Sequence, residues 1–366
     1  MSAAEQREAA IRDFLATARL GDARRTPLAG DASTRAYERL QPADGGAPLI
    51  LMNAAPSAES PPCGPHATPA ERAAAGYNAL ARLAASRVDA FAATADYLRG
   101  RGLSAPAILA LDVAQGLAVV EDLGDDLFAK RLEAGDDPLP LYQTAIDLLL
   151  HLHAEPPPAA LPVAGGNWPL LTYDDLALKT GAQIYLDWWP AFTGASAPSA
   201  DAVVDWEALW SPIRARGEAG AKVFTHRDYH AENLLWLPQR SGLGRVGLLD
   251  FQDCVRGHPA WDLLSLLQDA RRDVAVELEA EMIDRYLAGR PDLDPEAFRQ
   301  DYAGLAALNN SRILGIFARL ITRDGKPRYR TFLPRMRRLL ARNLEAPGLE
   351  GLKAWFAAHG HVGADG

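Results

Sequence analysis

Cysteine is almost missing from this chain. Its two cysteines, Cys63 and Cys254, lie far apart, which excludes a disulfide framework and suits a reducing compartment. No apolar run approaches the roughly 20 residues of a membrane span. The first residues, Met1-Ser2-Ala3-Ala4-Glu5-Gln6, lack the basic and apolar regions of a secretory leader, so a cytoplasmic location is expected. Excess positive charge is missing too. A net charge of -9 argues against nucleic acid or an anionic membrane as the main partner, and no segment points to an obligate protein partner. Lysine is scarce: Lys130, Lys179, Lys222, Lys326 and Lys353 are all there is, and none precedes Lys130. Arginine must carry the cationic work of the first third of the chain.

Much of what is present converges on Thr225 to Phe251. The stretch reads His226-Arg227-Asp228-Tyr229-His230-Ala231-Glu232-Asn233, then Leu234-Leu235-Trp236-Leu237, a turn, and Val246-Gly247-Leu248-Leu249-Asp250-Phe251. Phosphoryl transfer needs one carboxylate to orient an acceptor hydroxyl, and an Asn with a second Asp to hold a metal on the phosphates. A short hairpin would bring Asp228 and Asn233 beside Asp250, so that three oxygen donors meet one Mg2+–phosphate cluster. His226 with His230 could instead mark a transition-metal site, but no further His/Cys cluster follows at ligand spacing.

With 366 residues, 48% hydrophobic and 23% charged, the chain has an ordinary globular composition and room for two lobes. Apolar residues at helical spacing predict a leading helix near 4–18. Strands are expected at 36–40 and 48–52, around the turn Asp44-Gly45-Gly46, and again at 108–112 and 117–121. Residues 57–69 are proline-rich, and 71–85 read as an Ala-rich helix. Together, about 57–88 read as an insertion. A helix is expected at 91–101. From Asp125 the pattern turns helical, at 139–153, 174–189, 206–217, 261–267, 275–288 and 295–319. The expected fold class is α+β, a two-lobed protein-kinase-like plan. Residues 1–123 would form a small antiparallel β-rich N-lobe that binds nucleotide. Residues 124–366 would form a larger, mainly helical C-lobe with the catalytic loop and the acceptor site.

Within that plan, Gly30-Asp31-Ala32-Ser33-Thr34-Arg35 stands where a loop covers ATP phosphates. Gly30 lets the backbone approach, Ser33 and Thr34 offer hydroxyl donors, and Arg35 adds charge. An ordinary turn between strands would read the same way. Val119-Val120-Glu121-Asp122-Leu123-Gly124 occupies the hinge position, with the backbone of Glu121 and Leu123 facing the adenine edge. Asp262, opening an apolar helix, is expected to hold the catalytic loop from beneath, with His226 in a supporting role. Asp253, Arg256, Asp269, Arg271 and Arg272 are further polar candidates beside the cleft. The third strand, Leu49-Ile50-Leu51-Met52-Asn53, lacks the lysine that kinases place there. Arg35 or another arginine must supply that charge, or nucleotide binding is weak.

These motifs resemble the aminoglycoside phosphotransferase/choline kinase superfamily. The runs 30–35, Leu51-Met52-Asn53-Ala54-Ala55-Pro56, 121–125, 226–230, 249–253, 265–273 and 323–329 resemble, more narrowly, the bacterial N-acetylmuramate/N-acetylglucosamine kinases of peptidoglycan recycling. Asn53 stands where that family is expected to carry Asp, and Glu232 where Ser or Arg is commoner. The resemblance implies transfer of the ATP γ-phosphoryl group to the anomeric hydroxyl of the amino sugar, giving a 1-phosphate that feeds UDP-sugar synthesis. Asp228 would be the catalytic base, and Asn233 and Asp250 the Mg2+ ligands. His230 would donate to the sugar, and Arg271 or Arg272 would meet a lactyl carboxylate. Two other readings stay open: a kinase of another small hydroxyl compound (aminoglycoside, choline, homoserine), and a catalytically weak nucleotide-binding module.

Overall fold

The computed structural model describes residues 2–28, 35–55 and 60–360. Gly30, Ser33 and Thr34 lie outside the described residues. A five-stranded antiparallel sheet is built from β1 (Arg24–Pro27), β2 (Ala36–Gln41), β3 (Leu49–Asn53), β4 (Ile108–Asp112) and β5 (Leu117–Glu121), in the order β1-β2-β3-β5-β4. Side chains alternate across a strand, and here the alternation divides two cores. Leu51, Leu117 and Val119 face the leading helix Ala3–Thr17 and its Ile11, Phe14 and Leu15. Met52, Ala118 and Val120 join the main core on the other side. That helix begins with a capping box between Ser2 and Glu5, which satisfies two otherwise orphaned N–H groups.

The rest of the chain is mainly helical, around two small antiparallel pairs. Val223–Thr225 pairs with Val255–Gly257, and Leu234–Trp236 pairs with Val246–Leu248. A third pair, Ala160–Val163 with Gly166–Pro169, was not expected from the helical pattern. The 28-residue helix Pro295–Thr322 is the spine, capped by Asp294 accepting from the Ala297 N–H. It crosses Asp175–Thr193 so closely that a Cβ on Gly315 would lie 2.5 Å from the Ile184 carbonyl oxygen. No helix among the described residues is long and apolar enough to cross a membrane.

The expected helix over 71–85 is broken. It forms Pro69–Ala75 and the short Tyr77–Leu80, divided by Gly76 at φ +104°. The reason lies in what this segment grips. Arg72 and Arg82, both buried, converge on the Asp174 carboxylate, with Arg72 Nη1 and Arg82 Nε at 2.6 and 3.1 Å. Asp174 also caps the helix Asp175–Thr193 through the Ala177 N–H at 2.9 Å. A continuous helix could not direct both guanidiniums to one acceptor.

One carboxylate therefore compensates two buried charges and a helix end. Asp174→Ala should cost on the order of 3 kcal/mol or more, read as a lowered urea midpoint. A loss below about 1 kcal/mol, typical of a surface pair, would mean that the cluster does not hold the segment.

Candidate active site

The catalytic loop is fastened from below. Asp262, in the first turn of Ala260–Leu267, accepts the His226 N–H at 2.7 Å and the Arg227 N–H at 2.9 Å. Burial pushes this carboxyl up to about 7, against the pull of those two donors. The His226 ring is buried against Tyr229 and Phe251, and burial lowers it to about 4, so it packs as a neutral ring. Arg227 takes φ +77°. Its guanidinium donates to the carbonyls of Ala81 and Arg82 at 3.2 and 3.0 Å, and lies 4.5 Å from the Tyr173 ring centre. The broken segment thus meets the catalytic loop directly.

The hairpin then aligns the acidic groups. Asn233 Nδ2 donates to the Asp228 carbonyl at 2.9 Å, and the Leu249 N–H donates to the Asn233 carbonyl at 3.0 Å. Asp250 follows at φ +58°, a conformation that costs a non-glycine residue energy and collects at functional sites. Its Oδ1 receives Arg35 Nη2 at 2.9 Å and Gln252 Nε2 at 3.0 Å. Phe251 stacks on Phe91 of the helix Val88–Gly100 at 4.7 Å, joining this turn to the sheet side of the molecule.

Two cavities flank the loop. One, of about 350 Å³, is lined by apolar Ile50, Val120, Leu235 and Leu249, and carries Arg35, Asn233 and Asp250. Leu123 also lines it, and its N–H has no hydrogen-bond partner among the described residues. The other, of about 180 Å³, holds Asp228, His230, Asp269, Arg271 and Arg312, with Ile313 and Phe317 as apolar wall. Burial pushes the Asp228 carboxyl up, but Arg312, His230, Arg227 and His226 together hold it below its ordinary value. Burial keeps His230 below its usual range.

The donor set fits a hard divalent cation held mainly by phosphates. Asp250 offers a carboxylate and Asn233 an amide oxygen with no hydrogen-bond partner among the described residues. Those residues contain no group of three His, Cys, Asp or Glu side chains arranged for a metal. One carboxylate plus an amide, completed by phosphate oxygens and water, is how Mg2+ is commonly held.

Several expected site residues lie outside the two cavities or are engaged elsewhere. Arg272 is spent on Glu232 at 2.7 Å and Asp269 at 2.9 Å. Asp253 accepts the Ala84 N–H at 2.6 Å. Arg256 sits in Val255–Gly257, its N–H bound to the Leu171 carbonyl. None of these three lines either cavity. Glu121 lines the larger cavity as expected, with its N–H bound to the Ala107 carbonyl at 2.9 Å and its carboxylate paired with Arg99 and Arg240. Asn53 accepts from Arg7 at 2.9 Å and lies away from both cavities. The sequence reading missed Asn309 and Arg312. Their signal was there, as the polar run Asn309-Asn310-Ser311-Arg312 between the apolar stretches 302–308 and 313–318 of one helix.

Two lobes, an Asp–Asn loop beside an Asp-Phe turn, and paired cavities define a kinase-like phosphotransferase. Residues 24–299 match the family model described as "Phosphotransferase enzyme family", and the chain belongs to that family. Among curated relatives, it is 60% identical to an N-acetylmuramate/N-acetylglucosamine kinase of Caulobacter vibrioides, with 97% of each chain covered. A protein of the same name from Pseudomonas aeruginosa is 28% identical, over 86% of this chain and 82% of that one. Among solved structures, a microcompartment-associated aminopropanol kinase superposes with a TM-score of 0.57 at 16% identity, covering 93% and 98% of the two chains, a likeness of fold alone.

Asp262→Ala would strand two buried N–H groups, at about 1–3 kcal/mol each. The expected result is a lowered unfolding midpoint, with faster hydrogen exchange at the His226 and Arg227 amides. Unchanged exchange at both would show that the loop does not depend on this carboxylate.

Proposed function

We propose that this chain is an ATP-dependent kinase that phosphorylates the anomeric hydroxyl of N-acetylmuramic acid and N-acetylglucosamine. The 1-phosphates would feed UDP-sugar synthesis in peptidoglycan recycling, in the cytoplasm where ATP is available. The observation that carries the reading is the placement of Asp228 in the smaller cavity while Asn233, five residues on, lines the larger. The curated relatives' names supply the acceptor.

In this reading the adenine lies among Ile50, Val120 and Leu235, with its edge accepting from the Leu123 N–H. The phosphates extend toward Arg35, which replaces the third-strand lysine with a planar guanidinium. Asn233 and Asp250 would hold Mg2+, which neutralises charge on the phosphates. Asp228 accepts a hydrogen bond from the acceptor hydroxyl, fixes its line of attack, and takes its proton late in the step. The acceptor cavity carries Arg271 and Arg312 beside Asp228 and an Asp269 already paired with Arg272, and the two guanidiniums disfavour the cations of the aminoglycoside and choline alternatives.

Phosphorus NMR of the product formed from ATP and each sugar tests the assignment. The expected signal couples to the anomeric proton and disappears in mild acid. A stable phosphate on another hydroxyl, or turnover of neither sugar, would overturn it. Asp228→Asn should keep the fold and lower kcat by about 10²–10⁴.

The charge environment adds a pH prediction. Arg312 is foremost among the groups that hold the Asp228 carboxyl down. Arg312→Gln removes that stabilisation of the ionised base, so the carboxyl titrates higher and the acid limb of kcat moves to higher pH. Arg312→Lys should move it less, and identical limbs in all three proteins would remove Arg312 from this role.

A further inference from the structure

Among the described residues, the acceptor cavity contains one cation whose charge nothing else uses. Arg312 has partners: its Nη1 donates to Asn309 Oδ1 at 3.0 Å, the Tyr77 hydroxyl lies beside it, and it faces Asp228. His230 lies against the Asn233 side chain, Nε2 3.4 Å from its amide nitrogen. Arg271 differs. Its backbone is anchored, because its N–H donates to Asp269 Oδ1 at 2.8 Å. Arg272 in turn grips the other Asp269 oxygen at 2.9 Å and Glu232 at 2.7 Å. The Arg271 guanidinium, by contrast, has no hydrogen-bond or ion-pair partner among the described residues, and it lines the cavity that holds Asp228. The acid beside it in sequence is therefore already engaged, leaving a rigidly based, unspent planar cation on the cavity wall.

We propose that Arg271 binds a carboxylate on the acceptor, and so makes the chain prefer the acidic amino sugar over the neutral one. The inference rests on the kinase reading above and adds the determinant of its choice of sugar. A guanidinium fork matches a carboxylate through two parallel hydrogen bonds, whereas scattered hydroxyls and an acetamide offer it no such match. N-Acetylmuramic acid carries that carboxylate on a lactyl ether, and N-acetylglucosamine has none. The ether also brings a methyl group, for which Ile313, Ile316 and Phe317 supply an apolar wall in the same cavity. The carboxylate undergoes no change in the reaction, so a contact made equally in the ground and transition states lowers KM and leaves kcat unchanged.

The test compares wild type, Arg271→Ala and Arg271→Lys on three acceptors: N-acetylmuramate, its methyl ester and N-acetylglucosamine. Arg271→Ala should raise KM for N-acetylmuramate roughly 10–100-fold, the range of a charge-assisted pair. With N-acetylglucosamine, kcat and KM should stay within about threefold, which also shows that the variant is folded. Arg271→Lys should restore part of the affinity. The methyl ester should be as poor a substrate for wild type as N-acetylmuramate is for Arg271→Ala, with no further loss when the two changes are combined. An equal fall in kcat on both sugars would place Arg271 on the transferring phosphoryl group and overturn the proposal, as would no change on either. Turnover of neither sugar by wild type would sink the kinase reading instead. Calorimetric titration of wild type and Arg271→Ala with N-acetylmuramate, beside a non-hydrolysable ATP analogue, then decides the anchor by itself. A lower affinity in the variant supports it, and equal or absent binding in both overturns it.

Discussion

Two backbone N–H groups, of His226 and Arg227, end on one buried carboxylate, and the active-site geometry depends on that contact. Asp262 reaches them from the helix Ala260–Leu267, which starts three residues after the strand Val255–Gly257 ends. Burying a carboxylate is costly, and here the cost is offset by donors that would otherwise be orphaned. The arrangement leaves the Asp228 carbonyl free to accept from Asn233, which in turn meets Leu249 and so brings Asp250 into line. A chain of short backbone contacts thus carries position from a helix start to two acidic side chains. Neither of those side chains could be set by a flexible loop to the tolerance that in-line transfer demands.

The same economy governs the cations. With no lysine before Lys130, the proposed phosphate end of the larger cavity has Arg35, paired with Asp250. An arginine in that place is always charged and two-pronged. It holds the Asp250 carboxylate in position and, on the proposed reading, turns to phosphate oxygens when they arrive, a double duty that an ammonium performs less well. Arg227 shows a second use. Its charge is absorbed by two carbonyls and a tyrosine ring, and what it delivers is a fixed distance between the catalytic loop and the segment around Ala81.

How legible all this was depended on whether a residue's neighbours in space were also its neighbours in sequence. Strands 108–112 and 117–121 were readable to the residue because alternation and turn chemistry are local. The loop, the hairpin and the Asp-Phe turn were readable for the same reason. The break at Gly76 was not. Helical propensity over 71–85 was outweighed by Arg72 and Arg82 reaching Asp174, about a hundred residues away. Glu232 and Asn53 looked like departures in the site, and they prove to be ion-pair and hydrogen-bond partners of Arg272 and Arg7.

The acceptor side shows most clearly where sequence reasoning stops. Arg271 and Arg272 are adjacent, chemically identical and equally suited to an anion. One has a guanidinium committed to Asp269 and Glu232, the other does not. Only contacts across the fold separate them, since the glutamate that occupies Arg272 lies in the catalytic loop forty residues upstream. By engaging Arg272, Glu232 also anchors the turn that presents Arg271 to the cavity. If Arg271 holds the acceptor carboxylate as proposed, Glu232 acts on specificity without touching the substrate, by deciding which of two neighbouring arginines is left available.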